Sequence, residues 1–191
     1  MAVAPPPPRP PLLNLPNALS TSRLFLAAGL FACIAYEAWW GGLAIMAVAA
    51  LTDWLDGYLA RLYQQVSSFG RVLDPLTDKV LVCGAFIYLL PVKESGILPW
   101  MVTVIIAREL LITGIRSFLE NQGAVFGADR YGKLKMVLQC ATLIGILLMM
   151  ALPAVTWLGP VVAVTTWAML AVTILSGVQY LVRAALLLRG L

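Results

Sequence analysis

Apolar residues fill long runs of the chain, and glycine, proline or charged residues separate one run from the next. Each run has the length that an α-helix needs to cross a bilayer, about 20 residues. The breaks lie at Trp39-Trp40-Gly41-Gly42, from Pro91 to Gly96, at Pro153 and at Gly159-Pro160. The pattern predicts six helical spans, at about residues 19–36, 39–62, 74–91, 97–117, 134–152 and 156–186.

Composition moves this prediction from a soluble helical protein to a membrane protein. The chain of 191 residues is 61% hydrophobic and 12% charged, with a mean hydropathy of +0.91, whereas soluble domains are about 25% charged. No charged residue occurs from Met136 to Val182, a stretch long enough for two spans. The sequence therefore predicts an all-α fold, a polytopic bundle of six transmembrane helices in the lipid bilayer.

The N-terminal segment differs from the rest of the chain. Residues 1–11 are rich in proline and precede the first apolar run, so they predict a disordered cytosolic arm and not a signal peptide. Residues 12–191 then form one membrane domain. Apolar and polar residues alternate irregularly over Leu12–Ser22, which favours a short N-terminal helix in the membrane interface.

Lysine and arginine predict the orientation of the bundle, because they concentrate on the cytoplasmic side of membrane proteins. If the N-terminus is inside, 12 of the 13 basic residues lie at inner loops or inner helix ends and only Lys93 lies outside. This asymmetry predicts a multi-pass protein of the cell membrane, with both termini in the cytoplasm. Nothing in the sequence indicates a nucleic-acid partner.

Four aspartates form the most unusual polar feature of the chain: Asp53, Asp56, Asp74 and Asp78. Asp53 and Asp56 share a helix face, and Asp74 and Asp78 are one turn apart. Asp74 precedes Pro75, which favours Asp74 as the cap that begins the third span. Clustered carboxylates near a membrane repel one another unless a cation compensates, and a hard divalent ion suits oxygen ligands. The alternatives are helix caps with surface charges, or the acidic path of a cation channel or transporter.

A resemblance separates these alternatives. The segment Asp53-Trp-Leu-Asp56-Gly57-Tyr-Leu-Ala60-Arg61, followed after eight residues by Gly70-Arg-Val-Leu-Asp74-Pro-Leu-Thr-Asp78, resembles the signature of the CDP-alcohol phosphatidyltransferases. The resemblance implies a membrane enzyme, usually a homodimer, that uses Mg²⁺ or Mn²⁺, with two ions expected, and takes a CDP-linked lipid as donor. It implies metal ligands at Asp53, Asp56, Asp74 and Asp78, a general base at Asp78, a cytidine pocket at Gly57, Ala60 and Gly70, and a phosphate contact at Arg61. The chain has no histidine, so a carboxylate is the natural proton acceptor.

A second group of charges bears on the acceptor alcohol: Arg108, Arg116, Lys133 and Lys135. Together they predict a pocket for a phosphorylated acceptor. The alternatives are an ion pair between Arg108 and Glu109, and ordinary cytoplasmic anchoring by the two lysines.

Three further segments resemble bacterial phosphatidylglycerophosphate synthases: residues 14–23, 107–110 and 132–135. That resemblance implies CDP-diacylglycerol as donor and sn-glycerol 3-phosphate as acceptor. Relatives that make cardiolipin or phosphatidylinositol phosphate have overlapping motifs, so these acceptors stay open.

Overall fold

A computed structural model describes the backbone of residues 15–63, 68–121 and 130–188, and the side chains of residues 22–52, 76–77, 79–119 and 132–187. Within these ranges the chain is all-α, as predicted. It forms six long helices and one 3₁₀ turn: α1 Leu15–Ala35, α2 Trp39–Tyr63, α3 Ser68–Tyr88, the turn Lys93–Ser95, α4 Pro99–Asn121, α5 Arg130–Ala151 and α6 Leu158–Leu188.

Short connections set the directions of these helices. Residues 36–38 join α1 to α2, and Glu37 adopts a left-handed backbone with φ 57° that reverses the chain. The 3₁₀ turn before α4 ends at Gly96, whose φ of 68° suits a residue without a side chain. Pro99 then begins α4, where a missing N–H leaves no helical hydrogen bond unmade. The breaks predicted from Pro91 to Gly96 and at Pro153 are confirmed, whereas Trp39-Trp40-Gly41-Gly42 and Gly159-Pro160 lie in the first turns of α2 and α6 and do not interrupt them.

The described helices pack around a main apolar core, and α4 and α6 bury a second, smaller apolar cluster between them. α1 packs against α2 and α3, while α5 packs against α2 and α6, and α4 packs against α6. One contact depends on a glycine: the Phe31 ring stacks on Tyr88, with centroids 4.9 Å apart, and lies over Gly84. A Cβ added at Gly84 would come within 2.1 Å of Phe31 Cζ, so α1 and α3 approach closely only because that position is glycine.

Two predicted boundaries are wrong. α3 begins at Ser68 and not at Asp74, so Asp74 is not a helix cap and Pro75 lies within the helix. Proline removes one helical hydrogen bond, but a membrane favours a continuous helix because free backbone groups are costly there. The prediction of a separate interfacial helix over Leu12–Ser22 is also wrong from Leu15 onward, because these residues belong to α1, which is continuous from Leu15 to Ala35. Residues 12–14 lie outside the described ranges.

Large apolar side chains cover the outside of the bundle as well as its core. On α6 alone, Val164, Leu175 and Leu186 are more than 60% exposed. Two helices in the described ranges are long and apolar enough to cross a membrane, Gly132–Ala151 and Leu158–Leu187. An apolar exterior of this kind is typical of a lipid-facing surface. Six membrane spans stay a prediction.

Candidate active site

The predicted aspartate site is distributed over two helices. Asp53, Asp56, Gly57, Ala60 and Arg61 lie on α2, and Gly70, Asp74 and Asp78 lie on α3. Their side chains lie outside the described part of the structure, so their roles as metal ligands, base and donor-binding residues stay predictions. Among the described residues there is no group of three or more histidine, cysteine or acidic side chains positioned to hold a metal ion.

The predicted acceptor residues Arg108 and Lys135 meet at a carboxylate in the interior of the bundle. Lys135 Nζ on α5 donates to Glu109 Oε1 on α4. Arg108 Nη1 donates to the same oxygen at 3.4 Å, and Arg108 Nη2 donates to Ser176 Oγ on α6 at 3.1 Å. We call Arg108, Glu109, Lys135 and Ser176 the cation cluster. It joins three helices through charged or polar side chains.

Local sequence positions each member of the cluster. Arg108 and Glu109 are neighbours on α4. Arg108 reaches Ser176 on α6 with Nη2 while its Nη1 contacts Glu109, and the Glu109 carboxylate also accepts from Lys135 on α5. The Ser176 hydroxyl donates to the Thr173 carbonyl of its own helix at 3.0 Å, which leaves its oxygen free to accept from Arg108. Gly177 allows the approach, because a Cβ there would lie 3.2 Å from Arg108 Cγ.

Among the side chains that the structure describes, the charges of the cluster do not cancel. The side chains of Arg108, Glu109 and Lys135 are only 13%, 8% and 8% exposed, and two cations share one carboxylate. Arg108 Nε is also buried without a partner among the described residues. A buried excess of positive charge with an unused N–H donor can bind an anion, and a phosphate carries enough charge and oxygen acceptors to do so.

The family model for CDP-alcohol phosphatidyltransferases matches residues 13–182, most of the chain. The chain belongs to the CDP-alcohol phosphatidyltransferase family. It is therefore a transferase of that family, and the channel or transporter considered from the aspartates alone is not supported.

Individual relatives agree with this family. The chain is similar to the CDP-diacylglycerol–glycerol-3-phosphate 3-phosphatidyltransferase of Bacillus subtilis, with 34% identity over 185 residues covering 88% of this chain and 94% of the relative. It is 35% identical over 155 residues to the cardiolipin synthase (CMP-forming) of Oryza sativa, covering 73% of this chain and 47% of the relative.

A solved structure has the same fold. The CDP-DAG-bound phosphatidylinositol phosphate synthase of Mycobacterium tuberculosis superimposes with a TM-score of 0.65 at 20% identity, over 88% of this chain and 85% of that one. The described helices thus have the same fold as that phosphatidylinositol phosphate synthase.

The other two predicted acceptor residues of this phosphatidyltransferase lie apart from the cluster. Lys133 is exposed, two residues before Lys135 and on another side of α5. Arg116 is exposed two turns beyond Arg108 on α4. The structure thus brings Arg108 and Lys135 together and leaves Arg116 and Lys133 exposed.

Sequence reasoning missed several polar residues in this region. Ser176 contacts Arg108, and Gln139, Thr142 and Thr173 are buried nearby on α5 and α6. A signal was available in the segment without charges, since Thr166, Thr173 and Ser176 recur on one helical face of a segment that is otherwise almost entirely apolar. Polar residues at that spacing indicate a polar face toward the interior of the bundle.

Proposed function

We propose that this chain transfers the phosphatidyl group of CDP-diacylglycerol to sn-glycerol 3-phosphate, giving phosphatidylglycerol phosphate and CMP. The observation that carries the proposal is the buried pair of cations, Arg108 and Lys135, held at Glu109 with a net positive charge. A phosphorylated acceptor matches that charge, whereas serine or a neutral polyol does not. The name of the Bacillus subtilis relative supports the same acceptor.

In the proposed reaction, a hydroxyl oxygen of glycerol 3-phosphate attacks the phosphorus that carries the diacylglycerol. A new P–O bond forms, the P–O bond to CMP breaks, and the bonding electrons leave with CMP. The Asp78 carboxylate takes the hydroxyl proton. The lipid tails of the donor stay in the bilayer, which is why the enzyme needs a membrane fold.

The metal site is part of the proposal. Asp53, Asp56, Asp74 and Asp78 would hold Mg²⁺ or Mn²⁺, and two ions are expected. Their oxygen-only donor set suits such hard ions. When bound, the ions would neutralise charge on the phosphates of the donor. Gly57, Ala60 and Gly70 would line the cytidine pocket, and Arg61 would contact the phosphates.

The placement of the enzyme follows from the basic residues. We expect a multi-pass homodimer in the cell membrane, with both termini and the active site in the cytoplasm. The inner ends of the helices carry most of the lysine and arginine, and an anionic membrane surface attracts such a margin.

A second acceptor has a specific observation in its favour. The similarity to the rice cardiolipin synthase makes phosphatidylglycerol the main alternative to glycerol 3-phosphate. Its phosphodiester has fewer free phosphate oxygens to accept hydrogen bonds from Arg108 and Lys135 than a phosphate monoester has.

The experiment is CMP release by the purified full-length protein in detergent with CDP-diacylglycerol and Mg²⁺. Glycerol 3-phosphate, inositol phosphate, serine and phosphatidylglycerol are offered in parallel. We expect release with glycerol 3-phosphate alone. Release with a different acceptor would keep the chemistry and reject the acceptor, and no release from folded protein would reject the proposed function.

A further inference from the structure

Three buried polar atoms near the cation cluster have no hydrogen-bond partner in the described part of the chain. They are Gln139 Nε2 and Thr142 Oγ1 on α5, and Thr173 Oγ1 on α6. Their residues are 3%, 0% and 0% exposed. We call Gln139, Thr142 and Thr173 the polar row. A buried polar group without a hydrogen bond destabilises the fold, so each calls for an explanation.

The polar row continues the cation cluster along α5. Gln139 and Thr142 lie one and two turns beyond Lys135, on the same face of the helix. Lys135 itself contacts Glu109 on α4. The face that carries the row is therefore the face that α5 turns toward the cluster.

Thr173 occupies the corresponding place on α6. It lies one turn before Ser176, which accepts a hydrogen bond from Arg108 on α4, and Gly177, where an added Cβ would lie 3.2 Å from Arg108 Cγ. It also lies three turns beyond Val162, whose side chain would be 3.2 Å from a Cβ at Gly145 on α5. The same face of α6 thus meets α4 at one level and α5 at another, and Thr173 lies between the two contacts.

We infer that the polar row binds hydroxyl groups of the acceptor, a phosphorylated polyol whose phosphate lies at the cation cluster. This inference rests on the proposed function and deepens it. A hydroxyl group donates one hydrogen bond and can accept two, which suits a threonine hydroxyl and an amide N–H. Glycerol 3-phosphate has two hydroxyls, and the one that does not attack the donor needs a partner in a buried site.

Another threonine on the same helix shows the ordinary arrangement. Thr166 donates to the Val162 carbonyl at 2.8 Å and needs no further partner. It is 5% exposed and lies two turns from Thr173 on the same face. Thr166→Val is therefore a matched control for changes to the row, since it removes a hydroxyl that is already satisfied within its own helix.

The test uses full-length enzyme and two acceptors. Glycerol 3-phosphate is compared with 3-hydroxypropyl phosphate, which keeps a terminal hydroxyl to attack the donor but lacks the second one. The double variant Thr142→Val/Thr173→Val should raise the KM for glycerol 3-phosphate about tenfold, the effect of one or two hydrogen bonds. Its KM values for 3-hydroxypropyl phosphate and CDP-diacylglycerol should match those of the wild type, and Thr166→Val should change none of them.

The unfolding temperature of the double variant is a second readout, and it separates a binding role of the two threonines from a structural one. Valine replaces threonine at equal size and removes an unpaired hydroxyl, so the double variant should unfold at the same temperature as the wild type or higher. A KM for glycerol 3-phosphate that stays unchanged, or one that rises equally for both acceptors, would overturn the inference.

Wild-type turnover separates this inference from the proposed function. Wild-type activity only with another phosphorylated polyol would reject glycerol 3-phosphate as the acceptor. The same comparison, made with that polyol and its deoxy analogue, would then decide whether the row binds hydroxyls. Turnover with no phosphorylated polyol would overturn both proposals.

Discussion

Arg108 on α4 and Ser176 on α6 are 68 positions apart in the sequence, and Arg108 Nη2 donates a 3.1 Å hydrogen bond to Ser176 Oγ. The neighbouring Gly177 makes this contact possible, since a Cβ there would lie 3.2 Å from Arg108 Cγ. The position of a predicted phosphate-binding arginine therefore depends on two small residues of another helix.

Gly177→Ala should displace Arg108 and raise the KM for glycerol 3-phosphate about threefold to tenfold, because a misplaced charged hydrogen bond weakens binding by this order. The KM for CDP-diacylglycerol should stay unchanged. Gly114→Ala is the control, since Gly114 is also helical and a Cβ there would meet nothing within 4 Å. An equal effect of both alanines would contradict the role of Gly177 and would indicate a general effect of helix rigidity.

Glu109 holds the two cations of the cluster together, so its charge should matter for stability. Glu109→Gln leaves Arg108 and Lys135 buried without their carboxylate, and removing one member of a buried ion pair costs about 3–5 kcal/mol. We expect a clearly lower unfolding temperature in detergent. Adding Lys135→Met should recover part of this loss, since it removes one of the cations left behind.

Glu94→Gln provides the comparison for this measurement, because Glu94 is exposed on the 3₁₀ turn. It should leave the unfolding temperature nearly unchanged. If Glu109→Gln and Glu94→Gln behaved alike, the buried ion pairs would not stabilise the bundle.

The helices could be predicted because local signals mark their ends. Proline and glycine act on their own backbone, so the breaks from Pro91 to Gly96 and at Pro153 follow from the sequence. The start of α3 could not be predicted in this way. One rule places proline in the first turn of a helix, whereas a helix in a membrane extends further because its backbone groups need hydrogen bonds. Pro75 gave the wrong boundary for that reason.

The cation cluster was predictable only in part. The pair Arg108 and Glu109 is adjacent in the sequence, and an ion pair between them was one expected alternative. The contact of Lys135 with the same carboxylate depends on how α4 packs near α5, and Ser176 depends on the position of α6. No local pattern encodes these two distances, since they are set by the packing of whole helices.

Gly84 makes a prediction about the fold alone. A Cβ at this position would lie 2.1 Å from Phe31 Cζ, so Gly84→Ala should force α1 and α3 apart and destabilise the bundle by about 1–3 kcal/mol. The double variant Gly84→Ala/Phe31→Leu should regain much of the loss because the ring is gone. Thermal unfolding in detergent measures both. Full stability of Gly84→Ala alone would show that the Phe31 ring moves aside easily.

The predicted orientation can be tested with single cysteines. In a background without Cys33, Cys83 and Cys140, Lys93→Cys should react with an impermeant thiol reagent in intact cells, since Lys93 is the one basic residue expected outside. Arg183→Cys, on the exposed surface of α6 near its C-terminal end, should react only after the membrane is opened. The reverse labelling pattern would place the active site on the outer side of the membrane.

The four aspartates give the prediction on which the chemistry depends most directly. Asp74→Asn removes one negative ligand from the expected metal site, so CMP release should fall by about a hundredfold or more while thermal unfolding stays cooperative. Glu37→Gln, an exposed acidic residue in the connection between α1 and α2, should retain full activity. Excess chelator should abolish activity of the wild type, and Mg²⁺ or Mn²⁺ should restore it. Turnover that persists in chelator would reject a divalent-metal mechanism. A hard cation held by fewer carboxylates binds more weakly and neutralises the donor phosphates less well. Full activity of Asp74→Asn would therefore reject Asp74 as a ligand.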